Sequence, residues 1–335
     1  MPSLTVINYH YVRDLDESHY SDLKVCSPAR FSQQLDQLTE KFCFVSGQQI
    51  IKAVQNRTSL PANACWLTFD DGYLDHYQTV LPMLVDRNIT GTFFAPAAPL
   101  LKRTVLDVHK IQFVLAGAHN VLEIVALIKE YLVQRKSEYD LLPVEDYWRN
   151  WAKPSRFGDS KEVTFIKRVL QFAVPATLRK DLIHQLFRQY ISAGEAEFAD
   201  NLYLTQAQAL EMVDAGMHFG HHGFNHEWLD RLSVAEQAVE LRSGVKMLER
   251  LGLADKGWAI SYPYGAWNTP LLDQARDLGC VVGVTVRPGT ADIESDDAML
   301  LNRFDTTDFP VSNEEIQQKT LSLASQGVVY RGRNE

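Results

Sequence analysis

Cys65-Trp66-Leu67-Thr68-Phe69-Asp70-Asp71-Gly72 is an apolar run that stops abruptly on two adjacent carboxylates and a glycine. Its length, composition and flanking glycine read as a buried strand over 65–69. The carboxylates admit two readings. Adjacent acids divide labour when one binds a metal and the other removes a proton from water that the metal activates. Alternatively, they form an Asx-type turn that closes the strand at Gly72.

Outward from this strand, short apolar runs alternate with amphipathic stretches, as expected of buried parallel strands joined by crossover helices. Seven further strands are read at 4–9, 42–45, 90–95, 218–222, 258–262, 280–286 and 299–303. Helices are expected at 28–42, 73–86, 205–215, 234–251, 270–278 and 314–324. Ser27 serves as N-cap of the first, with Pro28 in its first turn and Phe31, Leu35, Leu38 and Phe42 on one face. Ser233 and Glu236 form a capping box for the fourth. Eight strands with interleaved helices predict an α/β fold, a distorted TIM-like (β/α) barrel, with a doubly wound open sheet as the alternative. The stretch 101–199 is too long for one connection, and its runs at 121–131 and 163–172 are helical in pattern. It reads as a helical insertion in a single domain spanning 1–335, either capping a pocket or forming an oligomer contact. A homo-oligomer is therefore left open.

Hydrophobic residues make up 46% and charged residues 22% of the 335 residues, enough to bury a large core. The net charge of −9 disfavours nonspecific attraction to nucleic acid or anionic lipid, so neither partner is expected. The four cysteines are widely spaced, with no C-x-x-C pair, and read as reduced thiols. No leader pattern opens the sequence and no apolar run is long enough to span a bilayer, so the expected location is cytoplasmic, without membrane insertion.

The unusual polar residues fall at one end of the expected strands. His10 follows the first, Asp70 and Asp71 the third, His222 and His226 the fifth and Tyr264 the sixth, while Arg303 closes the eighth. In a barrel these positions converge on the C-terminal face, where active sites are built. Two imidazoles with one carboxylate suit a zinc-like divalent ion, although an isolated H-x-x-x-H pair is more often structural. His221 leaves its strand on the face opposite His222 and reads as structural or supporting. Tyr264, Trp267 and Phe224 offer an apolar wall, or simple packing.

Thr68-Phe69-Asp70-Asp71-Gly72 resembles, residue for residue, the first motif of the NodB-type polysaccharide deacetylases, carbohydrate esterase family 4. His222-Gly223-Phe224-Asn225-His226 resembles the second in its two histidines, with Gly223 where that family usually has Ser or Thr. Tyr262-Pro263-Tyr264-Gly265 resembles the third, with Ser261 where many members have arginine. The family's C-terminal Leu-x-x-His motif is not apparent near 300–308. Tyr9-His10 instead resembles the opening of the exopolysaccharide-deacetylase subgroup. The likeness covers the barrel and leaves the insertion unexplained.

That resemblance implies metal-dependent removal of N-acetyl groups from a sugar or glycan precursor. It implies a divalent ion, Zn²⁺ by preference, on Asp71, His222 and His226, with Asp70 as base and His10 as acid. The Tyr264 backbone N–H would stabilise the oxyanion, and Arg303 would orient Asp70 in place of the arginine missing at Ser261. Pro263, Tyr264, Trp267 and Phe224 are the substrate-contact candidates. Two competitors follow from the departures and from the chemistry: a silent glycan-binding member, and a hydrolase of a non-sugar amide or ester. A cytoplasmic location favours a nucleotide-linked, lipid-linked or free acetylated sugar.

Overall fold

Strand β1, Leu4–Tyr9, is buried at all six positions. It is followed by β2 (Cys43–Phe44), β3 (Ala64–Asp70), β4 (Gly91–Ala95), β5 (His218–His221), β6 (Trp258–Ser261), β7 (Cys280–Val284) and β8 (Phe304–Asp305). The computed structural model describes residues 4–15, 20, 22–155, 158–191 and 193–306. Among these residues the contacts define two compact units, one within 4–14, 25–104 and 199–306 and the other within 15–24 and 105–198.

In the first unit the strands pair in the order β7-β6-β5-β4-β3-β1-β8, every pair parallel. Leu301 bridges to Val284 in β7 and Phe304 pairs with Ile7 in β1, so 301–305 spans the seam between the sheet's two ends. This is the distorted (β/α) barrel, and the open doubly wound alternative falls. Because β1 takes one whole edge of β3, β2 and β4 share the other. β2 pairs at Ala64 and Cys65, and β4 from Leu67 onward.

The period of two along each strand assigns its faces. Ile7 and Tyr9, Leu67 and Phe69, and Phe93 and Ala95 join an apolar cluster with Phe31, Leu35 and Leu38 of the helix Pro28–Lys41. The alternate residues Leu4, Val6, Trp66, Phe94, Val282 and Val284 form a separate cluster inside the barrel. Followed to the strand ends, this inner face turns polar: Asn8 after Val6, Thr68 and Asp70 after Trp66, Ser261 after Ala259, all buried. The chemistry-bearing residues are thus the last layer of the barrel interior.

His221 lies on the outer face, stacked on Trp258 at 5.2 Å, with its Nε2 3.1 Å from the Leu241 carbonyl. A Cβ at Gly244, in the helix Val234–Arg250, would fall 2.0 Å from that Nε2. Gly244→Ala gains about 1 kcal/mol of helix propensity, but overpacking costs about 1–3 kcal/mol and the His221 hydrogen bond is strained as well. A lower urea midpoint is expected; an unchanged or higher one would show that the helix simply moves away.

The second unit is helical, with Asp107–Gly117, Val121–Arg135, Val144–Trp151, Lys161–Arg168 and Ala176–Tyr190. Phe198 meets the rings of Phe113 and Phe187 edge-on at 4.8 and 5.3 Å in its core. Among the described residues no helix is long and apolar enough to cross a membrane.

Three expectations shift. The helix read at 73–86 opens as a π turn, His76–Val80, before Leu81–Asp86. Leu81 N–H reaches back to the His76 carbonyl, and Pro82 has no N–H to give Gln78, so the ladder widens there. The eighth strand begins at Phe304 instead of 299, because Met299 sits in the 3₁₀ turn Ala298–Leu300. The helix Gly47–Asn56, with a Ser46–Gln49 capping box, was not anticipated. The helix read at 314–324 lies outside the described residues.

Candidate active site

β3 ends at Asp70, and Asp71 and Gly72 then adopt left-handed conformations with φ of 78° and 64°. In a continuing strand successive side chains would point to opposite faces. The bend breaks that alternation, and both carboxylates stay buried at the strand end. A second bend, at Gly223 (φ 73°) and His226 (φ 55°), carries His226 back beside His222. Glu240 fixes this loop: its carboxylate accepts from the Phe224 and Asn225 N–H groups at 2.7 and 3.0 Å and from the Asn225 amide at 2.7 Å. Non-glycine residues tolerate positive φ at a cost of order 1–3 kcal/mol, and such strain concentrates at functional sites. Asp71, His226 and Tyr264 all carry it.

The outcome is a carboxylate oxygen set between two imidazoles. Asp71 Oδ1 lies 3.5 Å from His222 Nε2 and 3.5 Å from His226 Nε2. One ligand atom from each residue falls within 4.8 Å of the others, and all three residues are buried. These separations are long for hydrogen bonds, yet ligand atoms about 2.0–2.2 Å from a shared tetrahedral ion are separated by ~3.4 Å. The orientations agree with that use. His222 Nδ1 is 2.6 Å from the Ser261 carbonyl, which only accepts, so Nδ1 carries the proton and Nε2 presents its lone pair. The Tyr73 hydroxyl donates to Asp71 Oδ2 at 2.8 Å and leaves Oδ1 to face the histidines. Burial opposes charge on His222, but Asp70 and Asp71 outweigh it and raise its pKa in the metal-free protein.

Asp70 faces the same group, its Oδ2 4.0 Å from His222 Nε2. Arg303 holds it through two parallel bonds, 2.9 Å to Oδ1 and 2.7 Å to Oδ2, and Ser261 Oγ adds a third at 3.1 Å. The guanidinium is itself buried and donates to Asn8 Oδ1 and the Thr285 carbonyl. Burial raises the Asp70 pKa, but the Arg303 charge, followed by His222, brings it down to about 2. Asp70 is thus a carboxylate throughout the neutral range. Arg303, reaching in from the seam, thus meets Asp70 beside the Ser261 hydroxyl.

His10 lies just beyond β1, exposed, and is among the positive charges that lower Asp70. Pro263 is buried; a Cβ on Gly223 would sit 3.4 Å from its Cγ. Tyr264 meets His226 edge-on at 4.7 Å. The ring stacked on Tyr264 is Trp228, at 4.5 Å and 7°. Trp267 and Phe224 are half-buried and pack against the apolar cluster, and Lys102 Nζ stands 4.7 Å over the Phe224 ring. Trp228, Tyr73 and Glu240 were missed from sequence. The aromatics Trp228 and Tyr73 lie two residues beyond His226 and Asp71, a spacing that was the available signal for them, whereas nothing local marks Glu240.

A (β/α) barrel whose interior ends in a carboxylate, two imidazoles and a second carboxylate clamped by arginine defines a class of hydrolase-like scaffolds. The polysaccharide deacetylase family model matches residues 57–111 and 182–283, on either side of most of the helical unit. The matched segments contain the aspartate pair, both histidines, Ser261 and Tyr264. A protein of Bacillus subtilis (strain 168), YxkH, provisionally named a polysaccharide deacetylase, is 32% identical over 89 residues, covering 27% of this chain and 32% of that relative. The match thus spans about a third of the relative's length. The Streptococcus pyogenes deacetylase PplD, solved in complex with acetate, superposes with a TM-score of 0.58 at 19% identity over 96% of this chain and 99% of that one. IcaB from Ammonifex degensii gives 0.54 at 19% identity, over 96% and 97%. At such identity these likenesses establish the NodB-type deacetylase fold.

Proposed function

We propose that this chain is a metal-dependent hydrolase that removes N-acetyl groups from a sugar or glycan precursor and releases acetate. The observation that carries the reading is Asp71 Oδ1 equidistant from His222 and His226, with the Arg303-held Asp70 beside it. A divalent ion on Asp71, His222 and His226, with Zn²⁺ suited to this donor set, supplies a Lewis acid for the acetyl carbonyl and lowers the pKa of water. Asp70 accepts a proton as the water oxygen bonds to the acetyl carbon; with its pKa near 2 it is a weak base, so it needs a water made acidic. The Tyr264 N–H supports the charge that builds on the carbonyl oxygen. The C–N bond then breaks, and His10 gives its proton to the departing nitrogen. Arg303 positions Asp70. Pro263, Tyr264, Trp267 and Phe224 line the sugar's approach, joined in our reading by Trp228. The resemblance at Tyr9-His10 supports placing the chain in the exopolysaccharide-deacetylase subgroup. The cytoplasmic location read from sequence belongs to the same proposal. So does treating the helical unit as an insertion in one domain, which gains support from the family match breaking off over 112–181.

The test is acetate release from N-acetylated sugars, simple amides and simple esters, with chelated protein and with protein reloaded with Zn²⁺. Release from the sugars that chelation abolishes and Zn²⁺ restores is expected. Sugar binding without acetate would make the chain a silent binder, and release from simple amides or esters alone would remove the sugar from the reading. A supporting prediction concerns Tyr73. Groups that orient a ligand commonly contribute about 10–100-fold to metal affinity, so Tyr73→Phe should weaken Zn²⁺ binding by that order in a competition titration. Undiminished affinity would show that Asp71 keeps its orientation without the phenol.

A further inference from the structure

β1 ends at Tyr9, and His10 is the first residue beyond the sheet's hydrogen bonds, with an exposed side chain. A loop residue in that place would ordinarily move too freely to deliver a proton to one atom, since catalytic groups must be held to within about 0.5 Å. Here the backbone is anchored on both sides of His10. The His10 carbonyl lies 2.9 Å from His76 Nε2. Val12 N–H donates to Asp75 Oδ2 at 3.1 Å, Arg13 Nε donates to the same oxygen at 2.7 Å, and an Arg13 NH2 lies 2.6 Å from Asp75 Oδ1. Between them the Tyr11 ring stacks on Tyr73 at 3.9 Å. Cys26 adds two backbone bonds, from its N–H to the Tyr11 carbonyl and from Arg13 N–H to its own carbonyl.

Upstream of His10 the anchor is the pairing of Tyr9 with Phe69 in β3; downstream, apart from Cys26, every anchor comes from 73–76, the four residues that follow Asp70-Asp71-Gly72. The turn that leaves the aspartate pair therefore also grips the loop that carries His10. Asp75 and His76 are both buried. A carbonyl only accepts, so His76 Nε2 bears the proton, and its Nδ1 has no hydrogen-bond partner among the described residues. Burial keeps the ring neutral, lowering its pKa to about 4. The ring is wedged against Phe69, Tyr73 and Phe93. His76 also opens the π turn, a distortion that recurs at functional sites.

We infer that Asp75 and His76 are positioning residues that hold the His10 segment against the aspartate turn, fixing the imidazole opposite Asp70. The inference rests on the reading of His10 as proton donor and goes beyond it: neither residue touches the reacting atoms, and both act through His10. Protonation matters for an amide nitrogen and hardly at all for an aryloxide leaving group. Loosening His10 should therefore damage amide hydrolysis selectively, whereas general damage to the site would affect both substrates.

The experiment measures kcat and KM of the Zn²⁺-loaded full chain on an N-acetylated amino-sugar oligomer and on an activated aryl acetate. His76→Phe, which keeps the aromatic packing and removes the donor, should lower the amide-to-ester ratio of kcat about tenfold or more with little change in KM. His76→Gln, whose amide nitrogen reaches close to the place of Nε2, should recover most of that ratio. Asp75→Asn should act in the same direction, and it carries the test if His76→Phe does not fold. His10→Ala should lower the ratio at least as far, and adding either variant to His10→Ala should lower it no further, since groups acting through one another are not additive. Equal losses on both substrates, an additive double variant or an unchanged ratio would overturn the positioning role. If His10→Ala itself leaves the ratio unchanged, the reading of His10 fails, and the inference falls with it for that separate and recognisable reason.

Discussion

Asp70→Asn is expected to lower kcat for acetate release by about 10²–10⁴-fold, the usual contribution of a general base, while Zn²⁺ stays bound. The substitution preserves shape and leaves Asp71, His222 and His226 unaltered. The Asn oxygen can still accept one of the two Arg303 bonds now made to Asp70. What it removes is a charge that is present throughout the neutral range, since Arg303 and His222 overcome burial and hold the carboxyl at about 2. The loss should appear in kcat and kcat/KM alike, because the proton is taken only as water attacks. Turnover rates with metal content determined on the same samples check the result. Full turnover with full metal would assign the base elsewhere, and lost turnover with lost metal would make Asp70 a part of the metal site.

The aspartate pair was legible before the structure because its meaning is local. An apolar strand, two carboxylates and a glycine announce a strand end, and the same period-two logic separates His221, bonded to Leu241 behind the sheet, from His222, which faces Asp71. β1 was equally plain, with Leu4, Val6, Ile7 and Tyr9 making four of its six residues apolar between Ser3 and His10. Arg303 was legible only as a candidate, since its burial and its double bond to Asp70 depend on a chain separation of 233 residues. Glu240 was invisible for the same reason: its partners lie in the loop at 224–225, and on its own helix it reads as one acidic residue among several. Asp75 and His76 were hidden differently. They sit inside a stretch that the 3.6-residue period marks as ordinary helix, and the π turn that sets their direction leaves no trace in that period. The short β2 and the shifted start of β8 were blurred because each pairs over only two residues of its neighbour.

Arg303→Leu should be the most destabilising single change at the site, by about 3–5 kcal/mol, the cost of leaving one partner of a buried ion pair uncompensated. The guanidinium is inside the barrel end, so neither it nor Asp70 can be rehydrated without opening the seam at 301–305. Asn8 and the Thr285 carbonyl lose a donor as well. Charge and packing separate by pH, measured as urea unfolding of metal-free protein. In the wild type the Asp70 pKa is depressed, so its contribution is complete above the ordinary carboxylate value of 3.8 and declines as the pH falls toward 2. In the variant, burial acts on Asp70 with only His222 and His10 left to oppose it, and its pKa rises. A raised carboxyl destabilises at neutral pH and recovers as it protonates. Both trends narrow the gap between the two proteins on acidification, and Asp70→Asn in the Arg303→Leu background should narrow it at neutral pH too. A gap constant from pH 7 down to pH 3, and unmoved by the second substitution, would trace the loss to packing and take from Arg303 its part as the charge that holds Asp70.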